Sequence, residues 1–255
     1  MKRNISILLG ALLAAVMLNS CATNGVGPSA AVSDASRYAP SPAEERPGLA
    51  TGWGEEKRSS IHDTRFVRAS SKPAGTDAIY YNDPEGIDAM SGSTERVEPL
   101  QKAAGGLVEW GVKGRFGYLP SYKEGGYGRR FVAGEKGGTY SIVVKNRCNS
   151  PLEIVASVDG LDVMDGKAAS FSKRGYIVDP GRTLEIDGFR TSYSHVAAFK
   201  FSSVSNSYAN LRHGDTRNVG VIGLAVFTQK NVNPWAWRRD DTWLRDTARP
   251  FATAP

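Results

Sequence analysis

Tyr140-Ser141-Ile142-Val143-Val144, the turn from Lys145 to Pro151, then Leu152-Glu153-Ile154-Val155-Ala156-Ser157-Val158 and Asp159-Gly160 form the stretch that decides the fold class. Both runs are short, rich in β-branched residues and bounded by Asn, Ser, Pro, Asp and Gly, as strands and their turns are. The second run is expected to return beside the first as its hairpin partner. Asp159-Gly160 is the kind of two-residue tight turn that hairpins use. Downstream, Gly175-Tyr176-Ile177-Val178 and Thr183-Leu184-Glu185-Ile186-Asp187 are joined by Asp179-Pro180-Gly181, where Pro fixes one φ and Gly accepts a positive one. Val196 to Phe201 supplies another strand. Val219 to Phe227 is apolar on both parities, which suits a central strand covered on both faces. Upstream, Leu107-Val108-Glu109-Trp110 leads into a Gly- and aromatic-rich stretch. No 3.6-residue period is sustained, so the expectation is all-β: an antiparallel β-sandwich over residues 105–228.

Residues 21–104 differ in composition. Ser, Ala, Gly, Pro and charge dominate, with Pro28, Pro40, Pro42, Pro47, Pro73, Pro84 and Pro99 as punctuation. Such a segment is expected to bury too little apolar surface to offset ordering entropy, giving a long, mostly disordered N-terminal linker. Its islands Ile61 to Val67 and Ala78 to Tyr81 are expected to dock on the domain. Residues 229–255 form a Trp- and Arg-rich tail.

The first residues carry an address. Met1-Lys2-Arg3 is basic, and the apolar run from Ile5 to Leu18 is shorter than the roughly 20 residues a stable span needs, so residues 1–20 are expected to be a cleaved signal peptide. Leu18-Asn19-Ser20-Cys21 resembles the lipobox of bacterial lipoproteins. That resemblance implies an acylated Cys21 (palmitate-type chains), a membrane anchor and a place in the bacterial cell envelope, with Ala22 favouring the outer membrane. The segment Tyr140 to Phe227, through Ser157-Val158-Asp159-Gly160-Leu161, Ile186-Asp187-Gly188-Phe189-Arg190 and Asn218-Val219-Gly220-Val221-Ile222-Gly223, resembles a domain of uncharacterised exported bacterial proteins. The resemblance implies a shared fold and carries no reaction.

Charge is unevenly spread. Ala22–Ala104 holds 9 Lys and Arg against 12 Asp and Glu, whereas Gly105–Thr228 holds 16 against 11. A basic body can favour anionic neighbours such as acidic envelope glycans. With Cys21 committed to lipid, Cys148 is left unpaired, so no disulfide within the chain is expected.

Catalytic spacing is sparse. His62, His195 and His213 fall in no HExxH or His-x-His pattern, and no metal or cofactor is expected. Ser170-Phe171-Ser172-Lys173 has S-x-x-K spacing without the motifs that accompany it in serine enzymes. Asp159, Asp162 and Asp165-Gly166 have the charge of a calcium loop without its alternate-residue spacing, and read as two turns.

Arg115 to Arg130 interleaves aromatics with cations. Phe116, Tyr118, Tyr122 and Tyr127 offer faces that stack on sugar rings, and Arg129 and Arg130 offer forks for carboxylate or phosphate. An exported address argues against nucleic acid. Trp235, Trp237 and Trp243 either meet a membrane or partner, or fold back over a sheet edge. The expected function is a non-catalytic, membrane-anchored binding or scaffold module for an anionic envelope glycan or a partner protein. The alternatives are an envelope-polymer hydrolase built from scattered residues such as Asp187, Arg190 and His195, or a subunit of an envelope or secretion assembly.

Overall fold

The computed structural model describes residues 46–125, 128–236 and 245–248. The expected signal peptide (residues 1–20), Cys21, Tyr127, Trp237 and Trp243 lie outside the described residues. In chain order the elements are β1 (Leu49–Arg58), β2 (Gly75–Asn82), helix α1 (Pro84–Ser91), β3 (Thr94–Val97), β4 (Gln101–Ala103), β5 (Val108–Gly114), β6 (Gly117–Tyr118), β7 (Ser121–Glu124) and β8 (Arg130–Ala133). They continue with β9 (Thr139–Asn146), β10 (Leu152–Val158), β11 (Leu161–Asp162), β12 (Tyr176–Val178), β13 (Thr183–Ile186), β14 (Gly188–Arg190), β15 (His195–Ser203), helix α2 (Tyr208–His213) and β16 (Val221–Thr228).

The strands make two sheets. The first runs β1-β15-β9-β5-β4, with β13 on β9, β14 on β15 and β6 on β5; the second runs β11-β10-β16-β2-β8-β7-β3, with β12 on β10. The all-β sandwich is therefore present. Its pairs are antiparallel except β2 with β8, which run parallel from Tyr80↔Phe131 to Asn82↔Ala133. Trp110, Ile142, Val144, Ile154, Phe199, Ile222 and Val226 fill the space between the sheets. Each large apolar side chain buried there contributes about 1.5–3 kcal/mol. The Trp110 indole donates to Asp77 Oδ2 at 2.7 Å, tying β5 in one sheet to β2 in the other. β16 is central, as its pattern implies: Ile222, Leu224 and Val226 face the main core, while Ala225 and Phe227 pack with Val155 in a separate cluster.

The expected β9–β10 hairpin is corrected. β9 pairs with β5, β13 and β15, whereas β10 pairs with β11, β12 and β16, so the Lys145–Pro151 turn carries the chain from one sheet to the other. The buried Asn146 side chain replaces the missing partner strand. Its Nδ2 donates to Ser150 O (2.8 Å) and Val178 O (2.9 Å), and its Oδ1 accepts from the Cys148 N–H (3.0 Å). Asp179-Pro180-Gly181 makes the same crossing in reverse beside it, from β12 to β13, and the Asn146 N–H donates to Arg182 O. Asp159-Gly160 is the tight turn expected: both residues have positive φ (54° and 79°), with Val158 opposite Leu161.

A second correction concerns the boundary at Gly105. Four strands and α1 precede it, and Leu49, Ala50, Ile79, Tyr81, Ile87 and Ala103 are buried. Composition misleads because small residues permit close packing there. A Cβ at Gly54 would overlap the Ala198 carbonyl, and one at Gly75 the backbone of Ala104. α1 starts where Asp83 Oδ1 accepts from the Gly86 N–H at 2.7 Å with Pro84 following, and it docks Ile87 on Phe131 and Ala133. Among the described residues no helix is long and apolar enough to cross a membrane.

Candidate functional site

An open groove of about 970 Å³ lies between the connection leaving β1 and a surface made by β12, Leu184, the end of β14 and the turn after it. The connection Ser59–Arg68 is pinned at its ends. Ser59 N–H donates to Ser194 O and Ile61 N–H to Tyr193 O, while Val67 O accepts from the Lys230 N–H and Arg68 bridges to Gln229. The turn opposite is built by Ser192, whose Oγ accepts from the Ser194 and His195 N–H groups, leaving Tyr193 62% exposed at the tip.

Three arginines line the groove. Arg68 grips the Glu153 carboxylate with two hydrogen bonds (2.7 and 3.0 Å), donates to Phe171 O and Lys173 O, and stacks 3.7 Å over the Phe227 ring. Burial would raise Glu153, but Arg68, the Gly175 N–H and nearby charge outweigh it and hold the carboxyl below its ordinary value. Arg174 is 81% exposed and only loosely paired, 3.8 Å from Asp63. The Tyr193 hydroxyl donates to the other Asp63 oxygen at 3.3 Å.

Arg190 is held differently. Its Nε donates to the Tyr176 hydroxyl, Nη1 to Ser59 O (2.7 Å) and Ser192 O (3.1 Å), and Nη2 to Ser59 Oγ (3.3 Å). All four acceptors are neutral. Asp187, by contrast, pairs with Lys57 at 2.7 Å, and the His195 ring bonds Ser194 Oγ at 2.8 Å; among the described residues no side-chain hydrogen bond or ion pair joins Asp187, Arg190 and His195 to one another.

No family model, curated protein or solved structure matches the chain. The functional reading rests on the chain's own side chains.

The residues singled out around Arg115–Arg130 divide between the two sheets, with Tyr122 and Arg129 meeting at Phe131. Phe116, 96% exposed, and Tyr118 lie at the β5–β6 hairpin of the first sheet, while Tyr122, Arg129 and Arg130 lie on or beside β7 and β8 in the second. Tyr122 packs on the Ile87–Phe131 cluster. Arg129 forks onto Glu124 (2.6 and 2.7 Å), whose carboxyl these bonds hold low, and Arg130 donates to Gln101 Oε1 and Glu98 O. Both cations are thus used to close strand ends. Trp235, half exposed, sits on a turn docked against the crossing corner: Asn149 donates through its N–H to Pro234 O and through Nδ2 to Ala236 O.

The acidic spacing also disperses. Asp159 is buried and bound by Thr51, Tyr81 and Gly220; Asp162 Oδ1 accepts from the Met164 and Asp165 N–H groups; and Asp165 pairs with Lys173. That pairing also takes Lys173 away from Ser170, whose hydroxyl meets Ser172. Among the described residues no three His, Cys, Asp or Glu side chains gather where they could hold a metal ion. Sequence reading missed the groove because its walls come from segments over 100 residues apart. Its signals were the island Ile61 to Val67, which forms one wall, and Arg190 beside a Ser-rich turn.

Proposed function

We propose that the protein is a membrane-anchored envelope module without catalysis, which holds a ligand of its surroundings in the groove beneath the Ser59–Arg68 connection. The carrying observation is the groove itself. It is wide, open and lined by exposed side chains of mixed chemistry (Tyr193, Arg174, Asp63, His62), while its fixed charges, Arg68 and Arg190, are clamped by the fold. Clamped groups bind without the entropy loss of ordering them first. The lipobox-like Leu18-Asn19-Ser20-Cys21 supports the anchor, and the outer membrane follows from Ala22 as the proposed host.

Two measurements test this reading. Cys21→Ser is expected to abolish metabolic acyl labelling, and label persisting in that variant would reject the anchor. Crosslinking in intact cells from a photoreactive residue at position 193 is expected to capture a ligand, whereas the same residue at position 116 is expected to capture none. Equal capture at both positions would reject the groove as the site.

A further inference from the structure

From the charge balance of the groove we infer that it binds an acidic glycan, with one carboxylate or phosphate of the sugar seated on Arg190; this rests on the groove being the binding site. Groove cations and anions pair off with one exception. Arg68 has Glu153 at 2.7 Å and Arg174 has Asp63 at 3.8 Å, but among the described residues no carboxylate pairs with Arg190. A guanidinium has five N–H donors. Four go to the Tyr176 hydroxyl, Ser59 O, Ser192 O and Ser59 Oγ, which fix the plane of the group without neutralising it, and the fifth remains on Nη2. A partly buried cation held rigid by neutral acceptors favours an anion more than a mobile surface arginine does, because its orientation is fixed in advance and water screens it less.

The groups beside it choose the rest of the ligand. Tyr193, exposed across the turn from Arg190, presents a flat ring, and Phe66 lines the opposite wall. Ser60, Thr64, Thr191 and Ser192 supply hydroxyl and backbone groups suited to sugar hydroxyls. Arg174 stands at the mouth and exchanges its loose Asp63 contact for the incoming anion. An aromatic face, short polar side chains and one unbalanced fixed charge suit a sugar ring bearing one acid group per unit. The open form of the groove admits a chain that continues past the site.

The test uses the full chain and three probes: an oligomer of a uronic acid, the same oligomer with its carboxylates reduced to alcohols, and inorganic phosphate, each titrated calorimetrically. The acidic oligomer is expected to bind at least about tenfold tighter than the reduced one, the scale of one charge-assisted contact, and to weaken as salt rises. Arg190→Lys, with an unchanged melting temperature, is expected to lose most of that preference, and Arg174→Ala part of it. Tyr193→Ala is expected to weaken both oligomers alike. Equal binding of acidic and reduced oligomers overturns the anion while leaving a binding groove; phosphate binding as tightly as the oligomer overturns the glycan; no binding by any probe overturns both. If Arg190→Lys fails to fold, the wild-type comparison of acidic and reduced oligomers decides.

Discussion

Asp159 and Asp162 lie three residues apart, both buried, and their surroundings make opposite demands. Asp159 Oδ2 accepts from the Thr51 N–H at 2.7 Å, and Oδ1 accepts from the Tyr81 hydroxyl (2.6 Å) and the Gly220 N–H (2.9 Å). Thr51 Oγ1 extends the chain of hydroxyls to Tyr81 and Tyr140, whose own pKa values burial pushes well up. One carboxylate thus joins strands of both sheets. Asp162 uses only Oδ1; its Oδ2 has no partner among the described residues. Asp159→Asn turns an amide donor toward groups that already donate and is expected to lose about 2 kcal/mol. Asp162→Asn keeps the accepting oxygen, removes a buried charge and should stay within about 0.5 kcal/mol of wild type. Urea denaturation of the two variants checks this contrast, and equal losses would refute it. Neither role was legible in the sequence, where the two residues share one D-x-x-D pattern and differ only in what the folded chain brings to them.

At the scale of elements, β10, β15 and β16 were readable because their apolar runs are longer than any turn and rich in Val, Ile and Phe. Partners were not. A run such as Leu152–Val158 states that it is a strand, while which strand it joins depends on whether the preceding turn reverses within a sheet or crosses between sheets. Asn146 decides that here, and a lone Asn before a turn looks the same either way. β1 to β4 were hidden for another reason: Gly52, Gly54 and Gly75 suggest flexibility in composition, yet Gly54 and Gly75 sit where another backbone comes too close for a Cβ. The groove inherits both problems, since it is assembled from a segment taken for linker and from strands placed by crossings. Asn146→Ala strips two buried carbonyls and the Cys148 N–H of their partners and is expected to destabilise by about 2–4 kcal/mol. The loss should appear as a lower urea midpoint with an unchanged slope. The buried Cys148 thiol reports the same corner: it should react with a thiol dye only slowly in the wild type and much faster in Asn146→Ala. A thiol equally slow in both, with no shift of the midpoint, would show that the corner does not depend on Asn146.

For the whole molecule, the opposed shifts of the carboxyls set where on the pH scale the sandwich is most stable. Burial pushes Asp159 up from its ordinary 3.8 to about 6. A folded pKa above the unfolded one means that the folded state holds the proton more tightly, so this contribution is fully present below about 4 and lost as pH rises through 6. Glu153, Glu185 and Asp165 move the other way. Burial alone would raise them, but hydrogen bonds and charge from Arg68, from Ser141 and Lys113, and from Lys173 hold them low, so their contribution is lost as pH falls below the ordinary carboxylate range. Stability is therefore expected to peak in mildly acidic solution, between about pH 4.5 and 6. A shift of about two units corresponds to about 3 kcal/mol over its full range, and roughly half of it falls between pH 5 and pH 8. Urea denaturation is expected to find the chain more stable at pH 5 than at pH 8 by about 1–1.5 kcal/mol. In Asp159→Asn, which keeps every histidine and every other carboxylate, that difference should shrink to the smaller part carried by Asp162, which burial also raises. A wild type as stable at pH 8 as at pH 5, or a pH dependence that survives undiminished in the asparagine variant, would mean that this acid between the sheets does not control the response.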